Sequence, residues 1–251
     1  MANTKKKIRP MSQSSIYILH GWTYTLDKWV SFAKGLESKG LRVNLLKIPG
    51  LTEEINKPWT IDDYVDWLFK LLEKEKNVVL MGHSNGGRIA MAFSIKYPGK
   101  VSKLVLIDSA GIYHDELYIK LKRRIFRAIA KTGRTLAKVG IARDFLYFLT
   151  RERDYKEASE NMKKTMINLS DFDRNLKAEN ISVPTIIIWG KKDGITPASD
   201  GKLLSEKIAN SKLYIIDGAR HSPQFTHSQQ IMDIILRQLW VCSILWVQII
   251  I

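Results

Sequence analysis

Six short apolar runs punctuate the chain: IYIL (16–19), VNLLKI (43–48), VVLM (78–81), LVLI (104–107), TIIIW (185–189) and LYII (213–216). Several are continuous rather than alternating and rich in Val and Ile, which suits strands buried on both faces, as in a parallel sheet. Helical periodicity lies between them. TIDDYVDWLFKLLEK opens on Thr60 with Asp63 three residues on, a capping-box-like start, and Ile61, Tyr64, Val65, Leu68 and Leu72 fall on one face. SNGGRIAMAFSIK runs helically until Pro98 and Gly99 end it, and SDGKLLSEKIAN separates the last two strands. Strands alternating with helices predict an α/β fold, a mostly parallel sheet of six strands flanked by helices and built from right-handed βαβ units.

One interval breaks the rhythm. Between LVLI and TIIIW the pattern shows no strand; Leu117, Leu121, Ile125 and Ile129 are spaced by four, and RDFLYFLT and ENMKKTMINLSDF continue helically. The predicted organisation is therefore a core of residues 1–111 and 181–251 with a helical insertion at 112–180 over one end of the sheet. The final stretch, LWVCSILWVQIII (239–251), is uncharged but short of the roughly 20 apolar residues a spanning helix needs. It is expected to form a last helix or strand on the sheet, with contact to a membrane surface as the alternative.

Length and composition fit this picture without redirecting it. A chain of 251 residues, 45% hydrophobic and 26% charged, is ordinary for one globular unit and excludes a disordered chain. A single cysteine, Cys242, excludes an intrachain disulfide and a zinc–cysteine cluster. The N-terminal basic residues lead into no apolar signal core, so a cytoplasmic location is expected. The net charge of +15 is more distinctive, and residues 115–143 hold nine Lys/Arg against two Asp/Glu. Such a field attracts anionic surfaces. No nucleic-acid-reading motif accompanies it, so no nucleic-acid partner is expected. Weak membrane-surface association through the basic insertion and the apolar tail is the remaining partner suggested by charge.

The chemistry concentrates in GHSNGG (82–87), where VVLM meets a glycine-flanked serine and a helix begins. A phosphate-binding loop fails here on specific residues. Ser84 occupies the middle glycine position of G-x-G-x-x-G, and Arg88 rather than Lys follows Gly87. The sequence Gly82-His83-Ser84-Asn85-Gly86 fits G-x-S-x-G, a tight strand-to-helix turn that lifts a serine hydroxyl above the carboxyl ends of the strands. A serine needs a base, and the base an orienting acid. TIIIWGKKDGITP places Asp193 after one strand and LYIIDGARHSPQFTH places His221 after the last, both at the edge where parallel strands share their carboxyl ends. Asp108 and Asp217 compete with Asp193, and His227 with His221. For an oxyanion hole, the amide of Asn85 at the helix start and that of Trp22, after His20-Gly21, are the candidate donors. His83, Trp22 and Arg88 are candidate substrate contacts, Arg88 as a cation for a substrate carboxylate. His20 is read as a brace for its own loop.

With LHGW, GHSNGG, LIDSAG, IIIWGKKDGITP and IIDGARHSPQFTH in order, the chain resembles an α/β-hydrolase-fold protein with a helical cap. It resembles the serine-nucleophile branch that includes carboxylesterases, pimeloyl-carrier-protein methyl esterases and meta-cleavage-product C–C hydrolases. The resemblance implies a catalytic Ser84–His221–Asp193 triad, hydrolysis of a small or medium carboxylic ester through an acyl-enzyme, and no metal or organic cofactor. It also implies two further N-terminal strands, so the six-strand sheet reads as shortened. C–C bond hydrolysis of a diketone acid by the same triad, and a non-catalytic binding protein on the same fold, are the alternatives.

Overall fold

The computed structural model describes residues 15–22, 26–114 and 158–245. Among them are six strands, β1 (Ile16–Leu19), β2 (Val43–Leu45), β3 (Val78–His83), β4 (Val101–Ile107), β5 (Thr185–Gly190) and β6 (Ser211–Ile216). Helices α1 (Asp27–Glu37), α2 (Ile61–Leu71), α3 (Asn85–Lys96), α4 (Glu160–Phe172), α5 (Ala198–Lys207), α6 (Pro223–Thr226) and α7 (Ser228–Leu245) surround them. All six predicted strands are present. β2 stops at Leu45, with the Leu46 amide still donating to the Ile18 carbonyl at 3.1 Å, and Leu46 and Ile48 enter the core from the loop that follows.

The sheet order is β2-β1-β3-β4-β5-β6 and every neighbouring pair is parallel. Successive side chains enter opposite layers. Tyr17, Leu19, Leu80, Leu104, Leu106, Ile187 and Trp189 join one core with residues of α2, α3, α4 and α5. Ile16, Ile18, Val79, Met81, Val105, Ile107, Ile186 and Ile188 join the other with Trp29, Phe32 and Leu36 of α1 and Ile231 and Ile235 of α7. Burial on both faces is the physical reason the strands read as unbroken apolar runs.

α2 begins as its sequence indicated. The Thr60 hydroxyl accepts from the Asp63 amide at 3.3 Å, and the Asp63 carboxylate accepts from the Thr60 amide at 2.8 Å. α1 was not among the helices the pattern indicated. Its spacing of Trp29, Phe32, Ala33 and Leu36 is nonetheless helical, and all four are buried.

The described part of the predicted insertion is joined to the core. Met162 and Leu169 of α4 are buried in it, the Trp59 amide donates to the Thr165 hydroxyl at 2.8 Å, and Asn168 Nδ2 donates to the Trp59 carbonyl at 3.1 Å. The basic stretch, the Leu117–Ile129 repeat and RDFLYFLT lie outside the described residues, as do residues 246–251 of the apolar tail. The start of that tail is helical within α7, and among the described residues no helix is long and apolar enough to cross a membrane.

The chain runs from β1 outward to β2, then returns across β1 to β3. Open α/β sheets take their ligands at such a reversal, here at the carboxyl ends of β1 and β3.

Candidate active site

Ser84 occupies the turn between β3 and α3 with φ 51° and ψ −119°, a backbone conformation a non-glycine residue rarely adopts. Strain of this kind costs on the order of 1–3 kcal/mol and persists only where neighbouring structure enforces it. Here the Ser84 amide donates to the Ile107 carbonyl at 3.2 Å, and its carbonyl accepts from Ala110 at 2.9 Å and Gly87 at 3.0 Å. The glycines permit the close approach. A Cβ on Gly86 would collide with the Leu19 carbonyl, and one on Gly82 with the backbone of Gly86 and Gly87. The loop after β1 closes on the same point, since a Cβ on Gly21 would lie 2.9 Å from Ser84 Cβ. Asn85 is the first residue of α3, where amides have no intrahelical carbonyl to meet.

Asp193 and His221 meet across the loops after β5 and β6. His221 Nδ1 donates to Asp193 Oδ2 at 2.7 Å. The carboxylate is held on its other sides as well: Oδ1 accepts from the amides of Ile195 at 2.7 Å and Thr196 at 3.1 Å, and Oδ2 from the Thr196 hydroxyl at 2.7 Å. Asp193 is thus fully engaged, buried and acceptor-only, which fixes His221 in the tautomer with its proton on Nδ1 and leaves Nε2 as an acceptor. His221 Nε2 and Ser84 Oγ make no hydrogen bond among the described residues. The acid–base half of the predicted line is therefore joined, while the serine half remains open in this state.

Asp108 directly follows β4 at a φ of 41°, fully buried, with Oδ1 accepting from the Gly190 amide at 2.7 Å and Oδ2 unpartnered among the described residues. Burial first, and the nearby Asp193 carboxylate second, push its carboxyl well above the usual carboxylate range. Asp217 is exposed and paired with Lys191 at 2.7 Å, and His227 bonds the Thr226 hydroxyl at 2.9 Å, away from Asp193. His20 braces its loop as expected, with Nδ1 donating to the Gly21 carbonyl at 2.7 Å.

Two predicted substrate contacts are placed differently from the expectation. His83 is buried rather than open, its ring 4.9 Å from that of His221 and 5.5 Å from that of Trp29. Burial, then the neighbouring His221, holds its imidazole well below the ordinary histidine range, hence neutral. Arg88 is 8% exposed at its side chain and grips Asp173 with two bonds, Nε to Oδ1 at 2.6 Å and Nη2 to Oδ2 at 2.7 Å, while Nη1 donates to Asn85 Oδ1. Its fork is occupied by a residue 85 positions away, so it is a tie between α3 and the end of α4. Trp22 is half-buried and packs against the core on the α3 side. Thr196 was not anticipated; its signal was a hydroxyl three residues after the loop aspartate, the spacing of a local side-chain-to-backbone turn.

The Arg88–Asp173 pair gives a stability test. Asp173→Ala leaves a buried guanidinium without its carboxylate and is expected to cost about 3–5 kcal/mol in chemical denaturation. The double replacement Arg88→Met, Asp173→Leu is expected to recover most of it; an Asp173→Ala loss below about 1 kcal/mol would show that solvent reaches the pair.

Residues 15–181 match the alpha/beta hydrolase fold family. The chain belongs to that family. Among its relatives, monoacylglycerol lipase ABHD6 of Homo sapiens is 25% identical over 242 residues, covering 85% of this chain and 72% of that one. A 2-hydroxy-6-oxononadienedioate/2-hydroxy-6-oxononatrienedioate hydrolase of Klebsiella pneumoniae is 25% identical over 249 residues, covering 89% and 86%. Among solved structures, a thermophilic esterase from Thermogutta terrifontis superposes with a TM-score of 0.66 at 21% identity, over 90% of this chain and 89% of that one. The protein is an α/β-hydrolase enzyme, and its six-strand parallel sheet is that fold's core.

Proposed function

We propose that this hydrolase cleaves a carboxylic ester by acyl transfer through Ser84, His221 and Asp193. The observation that carries the reading is the 2.7 Å His221–Asp193 bond at the same sheet edge as a serine held at positive φ. His221 Nε2 takes the Ser84 proton as Oγ attacks the ester carbonyl carbon. The amides of Asn85 and Trp22 hold the oxyanion that forms. His221 returns the proton to the departing alcohol, leaving an acyl-serine. Water repeats the sequence: it gives a proton to His221, attacks the acyl carbon, and releases the acid as the proton returns to Ser84. Asp193 keeps the imidazole in the productive tautomer and stabilises the imidazolium. The open Ser84–His221 gap closes when substrate binds, as such bonds commonly tighten only in the complex.

Selection of the acyl group is assigned to the insertion at 112–180, whose described helix α4 packs on the core. C–C hydrolysis of a diketone acid would use the same three residues but wants a free cation for the substrate carboxylate. The Arg88–Asp173 ion pair counts against the cation first considered for that role.

A fluorophosphonate probe is expected to label one site, mapped by peptide mass to Ser84. Turnover of p-nitrophenyl esters of graded chain length should fall in step with labelling. Modification of another residue, or none in a protein that hydrolyses these esters, would overturn the assignment.

A further inference from the structure

A second constellation shares only His221 with the proposed catalytic residues. His83 ends β3, Asp108 follows β4, and His221 sits in the loop after β6. One ligand atom from each lies within 4.8 Å of the other two. Both ring nitrogens of His83 and Asp108 Oδ2 are buried without a hydrogen-bond partner among the described residues. Buried polar atoms without partners cost about 1–3 kcal/mol each, and a His83 ring nitrogen lies in this cluster beside the Asp108 carboxylate, whose Oδ2 is also unpartnered, so the two call for an occupant. Two imidazoles and one carboxylate are a borderline-soft donor set with room for a fourth ligand, the set Zn²⁺ favours and Mg²⁺ does not.

We infer that His83, Asp108 and His221 form a binding site for a Zn²⁺-class transition-metal ion whose occupancy inhibits the enzyme. A tetrahedral ion with bonds of about 2.0–2.1 Å holds its ligand atoms about 3.3 Å apart, so the three side chains draw together by up to about 1.5 Å. His221, the partly exposed member on a loop, supplies most of that movement and marks the entry side. The inhibitory part rests on the proposed role of His221: a ring bound to metal cannot relay the proton between Ser84 and the substrate. Thr196 and Asp193 remain as neighbours that orient the ring from behind.

The site is tested on the full chain without substrate. Calorimetric titration with ZnCl₂ is expected to show one site, and MgCl₂ none. His83→Gln and Asp108→Asn should each weaken Zn²⁺ binding at least tenfold, while His114→Gln and His227→Gln leave it unchanged. Loss of binding in the His114 or His227 variant with retention in the first two would assign the ion to surface histidines and overturn the proposal. Absence of binding to wild type would do the same. Zinc X-ray absorption of the loaded wild type needs no variant: two imidazoles and a carboxylate are expected, and fewer than two imidazoles refutes the site. In an active preparation, ester hydrolysis should fall along the binding curve and return with EDTA. Bound zinc with undiminished turnover would refute the inhibition. Zinc binding by this set in a protein that hydrolyses no ester would instead sink the ester reading and leave the site standing.

Discussion

Ser84→Ala is expected to lower kcat toward p-nitrophenyl esters by about 10⁴–10⁶-fold, the range seen when a serine hydrolase loses its nucleophile. The substitution removes one oxygen that makes no hydrogen bond among the described residues, so little else should change. Alanine carries the same Cβ and bears the same strain at φ 51°. The backbone bonds to Ile107, Gly87 and Ala110 do not involve the side chain. Stability should therefore stay within about 0.5 kcal/mol of wild type, as for substitutions away from packing and polar networks. What activity survives would come from the oxyanion amides and bound water. A loss of tenfold or less, in a preparation free of wild-type enzyme, would mean that Ser84 is not the attacking group.

Asp193→Asn is expected to lower kcat by about 10³–10⁴-fold while the fold stays intact. The carboxylate accepts four bonds: His221 Nδ1, the Thr196 hydroxyl and two amides. A carboxamide has one acceptor oxygen and one NH₂ donor. If its oxygen keeps the two amides, its NH₂ faces His221 Nδ1 and forces the ring proton onto Nε2, the atom that must accept from Ser84. The same change at Asp217, exposed and paired with Lys191, should leave kcat unchanged. An Asp193→Asn enzyme of nearly full activity would move the acid to Asp108, the other carboxylate at this sheet edge.

The two faces of the sheet explain what the sequence disclosed. Ile16 and Ile18 enter one core while Tyr17 and Leu19 enter the other, so no polar position interrupts the strand and the run is visible. GHSNGG was equally legible, because the collision of a Gly86 Cβ with the Leu19 carbonyl is a constraint written in residue type. Arg88 was not. A cation beside a nucleophile suggests an anionic ligand, and nothing local announces that Asp173 will reach it from the far end of another helix. His83 failed for a related reason: it flanks Ser84 in sequence, yet consecutive strand residues point to opposite faces, and its ring is buried beside His221 rather than open to substrate. The Thr196 hydroxyl lay in view within DGITP, but its role depends on the loop conformation that folds it back onto Asp193.

The position of the long insertion carries an evolutionary corollary. It leaves the sheet after β4 and returns at β5, and these strands are immediate neighbours, paired from Leu104↔Thr185 to Ile107↔Ile188. Parallel pairing puts the exit from β4 and the return to β5 at opposite ends of the two strands, but the Arg174 guanidinium lies 4.9 Å from the Tyr113 ring, so the ends of the segment between these two residues are close to one another. Closing such a loop becomes costlier only logarithmically, by about 0.6 kcal/mol for each doubling of its length. Segments of very different size and composition can therefore be exchanged at this junction without disturbing the strand register that places Ser84, Asp193 and His221 at one edge of the sheet. The scaffold can acquire a new specificity by substitution of one contiguous stretch of chain, leaving its chemistry where it was.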